Sequence, residues 1–212
     1  MKIVCVLRSG GVYTPEWVYR LKSQVEAQLP GAEFVCYTDM FTSEFTVPLE
    51  FQWHGWWSKL EVFWEVSNDP TLYLDLDTVV CGPLGPLVDF RSGLTLVKDF
   101  AQPENVNSSV MCWRGDFSFI PELYYKDTNK YNEQFVKGPL IGDQGFIQAL
   151  MKTLDRPIRR FDEGLVRSWR WDVEKNGVQD CSVIAFHGNP KQKEVAETHH
   201  ERRWLWPTEP KS

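Results

Sequence analysis

"LYLDLDTVV", Leu72 to Val80, sets two aspartates one residue apart inside a run of apolar, β-forming side chains. Carboxylates in such surroundings are costly unless a positive group compensates them. "TLYLDL" (Thr71 to Leu76) reads as a buried strand, and "SNDP" ahead of it ends a helical pattern. Asp75 and Asp77 therefore fall at the C-terminal end of a strand that follows a helix. In open α/β sheets, ligands bind outside those ends. On a strand the side chains of Asp75 and Asp77 point to the same face, because the side-chain period is two. Two like charges so close repel, and a hard divalent cation with oxygen ligands removes the conflict.

Working outward, "KIVCVLR" (Lys2 to Arg8) is a short apolar strand that enters a loop at Ser9-Gly10-Gly11. "TPEWVYRLKSQVEAQLPG" follows as a helix, with Thr14 as N-cap, Pro15 in the first turn and Pro30-Gly31 as the stop. "EFVCYT" (Glu33 to Thr38) is the next strand, so the opening is a β-α-β unit of a parallel, doubly wound sheet. In "GWWSKLEVFWEV" (Gly55 to Val66), Trp57, Leu60 and Trp64 recur at helical spacing, flanked by Lys59 and Glu61. Beyond the aspartates, "GLTLVKDF", "NSSVMCWRGD", the helical "GDQGFIQALMKTL" and "CSVIAFHGNPKQKEV" alternate apolar segments with polar exits. There is no internal repeat or low-complexity segment. The expected organisation is one domain over residues 1–198 and a tail over 199–212, the tail being either a strap over the domain or a loose end.

The 212 residues suffice for one domain with a real core. The net charge of -6 argues against binding long nucleic acid, which needs a basic footprint, but not against a small nucleotide held through a metal. Ten tryptophans fit either a filled core or a sugar- or base-lined pocket. The five cysteines are scattered without a C-x-x-C pair, and Cys5 lies in "IVCVL". They read as reduced core thiols, which implies a cytoplasmic chain. No segment approaches transmembrane length, and the first apolar run is too short for a signal peptide.

Two chemistries suit the aspartates. In one, both ligate a divalent cation that grips a nucleotide sugar. In the other, a phosphatase of the haloacid-dehalogenase type uses Asp75 as nucleophile and Asp77 as acid/base. That type usually opens on its nucleophilic strand, whereas here a complete β-α-β precedes it, and Asp143 has no acidic partner nearby for magnesium. A third reading is a non-catalytic nucleotide-sugar-binding module.

Four motifs in order favour the first chemistry. "YLDLDTVV", "NSSVMCW" (Asn107 to Trp113), "GDQGFI" (Gly142 to Ile147) and "FHGNPK" (Phe186 to Lys191) resemble the motifs of glycosyltransferase family 8, the glycogenin and bacterial lipopolysaccharide galactosyltransferase type. The resemblance covers roughly Lys2 to Val195. It implies a GT-A-like, Rossmann-like α/β fold, with a mostly parallel sheet flanked by helices. It also implies a UDP-sugar donor, Mn²⁺ (or Mg²⁺), and retention of anomeric configuration in hexose transfer.

By that resemblance Asp75, Asp77 and His187 are the metal ligands, and an imidazole beside carboxylates suits Mn²⁺ better than Mg²⁺. Gly188 and Lys191 approach the diphosphate, and Lys59 contacts the donor or braces the aspartates. Asp99, Asn107 and Ser108 hydrogen-bond the transferred sugar, while Asp143 and Gln144 lie on the reacting face. Lys191 follows His187 by four positions rather than the family's six, so the diphosphate loop must differ in shape. The acceptor is open: a glycan, a lipid-linked glycan, a protein or a modified nucleobase. Simpler roles compete for several positions: Asp143 as an N-cap, Asn107 as a turn residue and Lys59 as a solvated helix lysine. His199-His200 lack a spaced partner and are set aside.

Overall fold

The computed structural model describes residues 1–88, 93–178, 180–198 and 200–206. The opening unit is strand β1 (Lys2–Leu7), helix α1 (Pro15–Gln28) and strand β2 (Glu33–Thr38), with the short β3 (Thr46–Pro48) after it. β1 pairs in parallel with β2 along its whole length, Lys2 opposite Glu33 through Leu7 opposite Thr38. Thr14 holds the N-cap position of α1 without a side-chain cap bond, and Pro15 starts the helix.

The aspartate-bearing strand, β4 (Ser67–Leu74), lies on the other side of β1 and is also parallel to it. β5 (Thr78–Val80), β6 (Gly93–Lys98), β7 (Val106–Gly115), β8 (Ile158–Arg160), β9 (Val166–Ser168) and β10 (Val183–Ala185) complete the strands. Seven form one sheet in the order β3-β2-β1-β4-β7-β6-β8, with β7 antiparallel to both neighbours; β5-β10-β9 form a second, smaller sheet. The carboxyl end of β4 thus sits mid-sheet, where the direction of pairing changes. The helices after β7 are α2 (Phe119–Lys126), α3 (Thr128–Gln134), α4 (Gly142–Thr153), the short α5 (Glu174–Asn176) and α6 (Gln192–Thr198).

Strand residues alternate between two cores. Ile3, Cys5, Leu7, Leu72 and Leu74 face the cluster that holds Trp17, Val18, Leu21 and Val25 of α1. Val4, Tyr73 and Met111 face the opposite cluster, with Trp57, Leu60 and Phe63 and with Phe146, Ile147 and Leu150 of α4. Both faces are covered, which is why the strands read as apolar runs rather than as clean alternation.

One sequence expectation changes here, and part of the tail packs as a strap. The segment Gly55–Trp64 is a 3-10 helix, and its charged flanks turn inward: Lys59 and Glu61 are buried, whereas Trp64 is partly exposed. Glu61 is held there because its carboxylate accepts the backbone N–H groups of Glu50 and Phe51 at 2.8 and 3.3 Å. Of the tail, residues His200–Leu205 form a 3-10 turn, and Leu205 and Trp206 are buried in the α1 cluster, where Trp206 meets Trp17 edge-on at 4.6 Å. His199 and residues 207–212 lie outside the described residues. Among the described residues no helix is long and apolar enough to cross a membrane.

Candidate active site

β4 ends at Leu74, so the two aspartates stand in a turn rather than on a strand. The Asp75 N–H still continues the ladder to Ser109 O at 2.8 Å, but Thr78 then closes the turn, its N–H and hydroxyl both donating to Asp75 O at 3.1 and 2.7 Å. Arg20, buried on α1, holds the turn from behind: its guanidinium donates to Leu76 O at 2.6 Å and to Thr78 O at 2.9 Å. Gln192 adds a third bond, to Leu76 O at 3.2 Å. Burial draws the Arg20 pKa down to about 10, which still leaves it charged at neutral pH. Its plane lies against Trp17 and Trp206, 5.9 and 5.1 Å from the ring centres.

The turn points the two carboxylates into different surroundings. Asp75 accepts the Tyr73 hydroxyl at 2.6 Å and pairs with Lys59 at 3.0 Å. Lys59 also reaches Asp143 at 3.3 Å and Ser108 Oγ at 3.1 Å, and the Ser108 hydroxyl donates to Asp143 at 2.6 Å. Two carboxylates thus share one ammonium in a buried place. Burial pushes the Asp75 pKa up to about 6 against the opposing pull of Lys59. Burial also disfavours the Lys59 ammonium, yet Asp143 and Asp75 outweigh it and hold that pKa above the ordinary lysine range. One lysine cannot neutralise two carboxylates, so the cluster is short of positive charge.

Asp77 instead accepts the Tyr13 hydroxyl at 2.8 Å and pairs with Lys191, which also donates to Phe186 O at 3.2 Å. Burial, and then Asp77 itself, raise the Tyr13 pKa, so the phenol stays protonated and donates. The β5–β10 pairing, Thr78 opposite Ala185, and the bond from Phe186 N–H to Asp77 O at 2.9 Å bring the His187–Lys191 loop to this aspartate. Gly188, at φ +77°, supplies the left-handed turn of that loop.

A cleft of about 430 Å³ opens over both aspartates, lined among others by Arg8, Ser9, Gly10, Tyr13, Trp56 and Lys59. Its volume falls in the range of small-ligand sites. Asp75 keeps 26% of its side chain exposed there, so a ligand can reach it. Gln144 and Asp99 line a separate, smaller cleft of about 120 Å³. Asn107 donates to Gln144 at 3.3 Å and accepts the Ser109 N–H at 2.9 Å, so it both orders the local backbone and orients the glutamine. Asp99 accepts the N–H groups of Ala101 and Gln102 at 2.9 and 2.8 Å. His187 stacks on Phe100, ring centres 5.1 Å apart, with Nε2 2.7 Å from the Ser168 hydroxyl; burial lowers its pKa and favours the neutral ring.

Sequence reading missed Tyr73, Tyr13 and Arg20. Tyr73 shares a face with Asp75 by strand period, and Arg20 sits among Trp17, Val18 and Leu21 on the apolar face of α1; each was a readable signal. Tyr13 carries none, because only the fold brings it to Asp77.

Whether these residues suit a divalent ion is a question of donors and charge. Among the described residues no three His, Cys, Asp or Glu side chains converge closely enough to share an ion. The chemistry of the set still suits one. Asp75, Asp77 and Asp143 offer carboxylate oxygens, paired directly with Lys59 and Lys191, and the neutral His187 ring lies at the end of the strand paired with the Asp77 turn.

The fold is that of known glycosyltransferases. The galactosyltransferase LgtC, solved with donor and acceptor sugar analogs, matches over 100% of this chain and 98% of its own, with a TM-score of 0.68 at 16% identity. The glycosyltransferase GlyE of Streptococcus pneumoniae matches over 97% of this chain and 61% of its own, with a TM-score of 0.71 at 12% identity. A glycosyltransferase involved in glycosylation of the major capsid of PBCV-1 matches over 95% and 98%, with a TM-score of 0.61 at 15% identity. No protein-family model and no curated protein sequence matches the chain. The architecture is the mixed α/β fold of GT-A glycosyltransferases, with a mostly parallel sheet between helices.

Proposed function

We propose that the chain is a metal-dependent, retaining glycosyltransferase that moves a hexose from a UDP-sugar to an acceptor. The observation that carries this reading is the cleft over Asp75 and Asp77, at the carboxyl end of a central strand in a fold shared with glycosyltransferases. Asp75, Asp77 and His187 would hold Mn²⁺ or Mg²⁺. Such an ion, when bound, supplies positive charge at the departing diphosphate.

The chain's own residues do the rest. Lys191 already stands on Asp77, and its ammonium would turn to the diphosphate once a donor enters. Gly188 leaves the loop open for the close approach of that diphosphate. Lys59 bridges Asp75 and Asp143, and Ser108, buried and engaged at both ends of its hydroxyl, fixes Asp143 rather than meeting the sugar itself. Asp143 is buried and paired, whereas Gln144 lines an open cleft beside Asn107 and Asp99. Gln144 is therefore the side chain that would meet the anomeric carbon, with Asn107 orienting it and Asp99 free to bind sugar hydroxyls. The phosphatase and binding-module alternatives lack an observation of this kind.

The test is thermal stability with UDP, GDP and phosphate, each with and without Mn²⁺. A ligand at about 100 times its dissociation constant adds roughly 2.7 kcal/mol to the folded state. The expected result is a melting shift with UDP that needs Mn²⁺ and is lost in Asp77→Ala, a variant whose circular dichroism stays native. A shift with phosphate and Mg²⁺ alone, and none with UDP, would instead favour the phosphatase.

A further inference from the structure

We propose that Cys81 and Cys181 form a reversible thiol–disulfide site that cross-links the strands delivering Asp77 and His187. Their sulfurs touch at 3.5 Å although 100 positions separate them in sequence. The approach is built into the backbone. With Val80 opposite Val183 in the antiparallel β5–β10 pair, Cys81 lies beside Ser182, and the N–H groups of Cys81 and Gly82 both donate to Ser182 O at 3.0 and 3.2 Å. A Cβ at position 82 would stand 2.4 Å from Cys181 O, so only glycine allows the two chains to come this near. A disulfide needs about 2.05 Å between sulfurs, so closing it asks for a movement of about 1.5 Å.

Access separates this pair from the other cysteines. Cys5 and Cys36 are also neighbours, on β1 and β2, but both are wholly buried, as Cys112 nearly is; Cys81 and Cys181 are partly exposed. The two thiols are also unequal. A hydrogen bond from Cys81, and the charge of Arg167, hold the Cys181 thiol below its usual range, while that same hydrogen bond and burial raise Cys81. Cys181 is then the attacking thiolate.

With oxidised glutathione as oxidant the exchange balances. The Cys181 thiolate attacks one glutathione sulfur and expels a glutathione thiolate. Cys81 loses its proton and attacks the Cys181 sulfur of the mixed disulfide, expelling the second. One protein S–S bond forms, one glutathione S–S bond breaks, and two electrons and two protons leave on two glutathione molecules. The cross-link sits at the far end of the β5–β10 pair from Asp77 and His187, and so fixes the register of both strands.

The experiment treats the whole chain with oxidised glutathione, alkylates the remaining thiols and maps peptides without reduction. The expected result is alkylation of Cys5, Cys36 and Cys112 after denaturation, a peptide joining Cys81 to Cys181, and reversal by dithiothreitol. Closing a loop of this length should raise the melting temperature by roughly 10 °C. That rise should vanish in both Cys81→Ser and Cys181→Ser. Alkylation of all five cysteines, a glutathione adduct that never resolves, or a bond to any other cysteine would overturn the assignment. None of these readouts depends on transferase activity.

Discussion

Asp75 and Asp77 are two positions apart, yet they belong to different parts of the molecule. The groups around Asp75 stand on regular elements: its own partners Tyr73 on β4 and Lys59 on the 3-10 segment, and, through Lys59, Ser108 on β7 and Asp143 on α4. The partners of Asp77 stand on loops: Tyr13 just before α1, and Lys191 just before α6. Lys59, the cation of Asp75, keeps 8% of its side chain exposed against 16% for Lys191, the cation of Asp77, although Asp75 itself opens more to the cleft than Asp77, 26% against 13%. One aspartate is fixed by the packed sheet; the other is held by groups that can exchange it for a ligand. The same residue type, side by side, serves as anchor and as handle.

The sharpest way to break this contrast is Lys59→Ala. It leaves Asp75 and Asp143 facing each other with no cation, and removing one partner of a buried pair costs about 3–5 kcal/mol. Calorimetry should show a melting temperature lower by about 10 °C. A variant that melts within a degree or two of the parent would mean that the Asp75 side is as loose as the other.

Lys191→Ala should do less to the fold and more to the ligand. Losing a hydrogen bond to a charged group costs about 2 kcal/mol, partly recovered here by water entering the cleft. UDP affinity in the presence of Mn²⁺, measured by titration calorimetry, should fall about tenfold. Equal loss of stability in the two lysine variants would erase the distinction. The smallest effects are those of the two phenols. Tyr73→Phe and Tyr13→Phe each remove one neutral donor from a carboxylate, about 1.5 kcal/mol apiece, with the buried Tyr73 the costlier in urea unfolding. The reverse order would place the firmer anchor at Asp77.

Local signals carried the fold. β1, α1 and β2 follow from an apolar run, a Pro-Gly stop and a second apolar run, and the boundaries of β2 coincide with the six residues read from sequence. Most site residues came from short motifs: Asn107–Trp113 lies within β7 and Gly142–Ile147 within α4, whereas Tyr73–Val80 runs from β4 through the turn into β5 and Phe186–Lys191 is the loop between β10 and α6. What sequence concealed was tertiary. The strand reading set Asp75 and Asp77 on one face, but Thr78 closes a turn on Asp75 O and sends the carboxylates apart. For Lys59 the family resemblance offered a brace on the aspartates and the local pattern a solvated helix lysine, because nothing near it in sequence shows that Asp75 and Asp143 converge on it. The cysteines read as core thiols, since a contact across 100 positions leaves no local trace.

The contacts made by Trp206 and β10 also set an order of events during synthesis. Translation proceeds at about 5–20 residues per second, and domains begin to form while the chain emerges. A nascent chain that has not reached residue 183 contains both aspartates but no partner for β5. Until Gln192 and Trp206 emerge, the Leu76 carbonyl lacks one of its donors and Arg20 lacks one of its two indole faces. The aspartate turn can be completed only once Lys191, Gln192 and Trp206 have been made; a shorter nascent chain carries the three carboxylates with one of their two lysines.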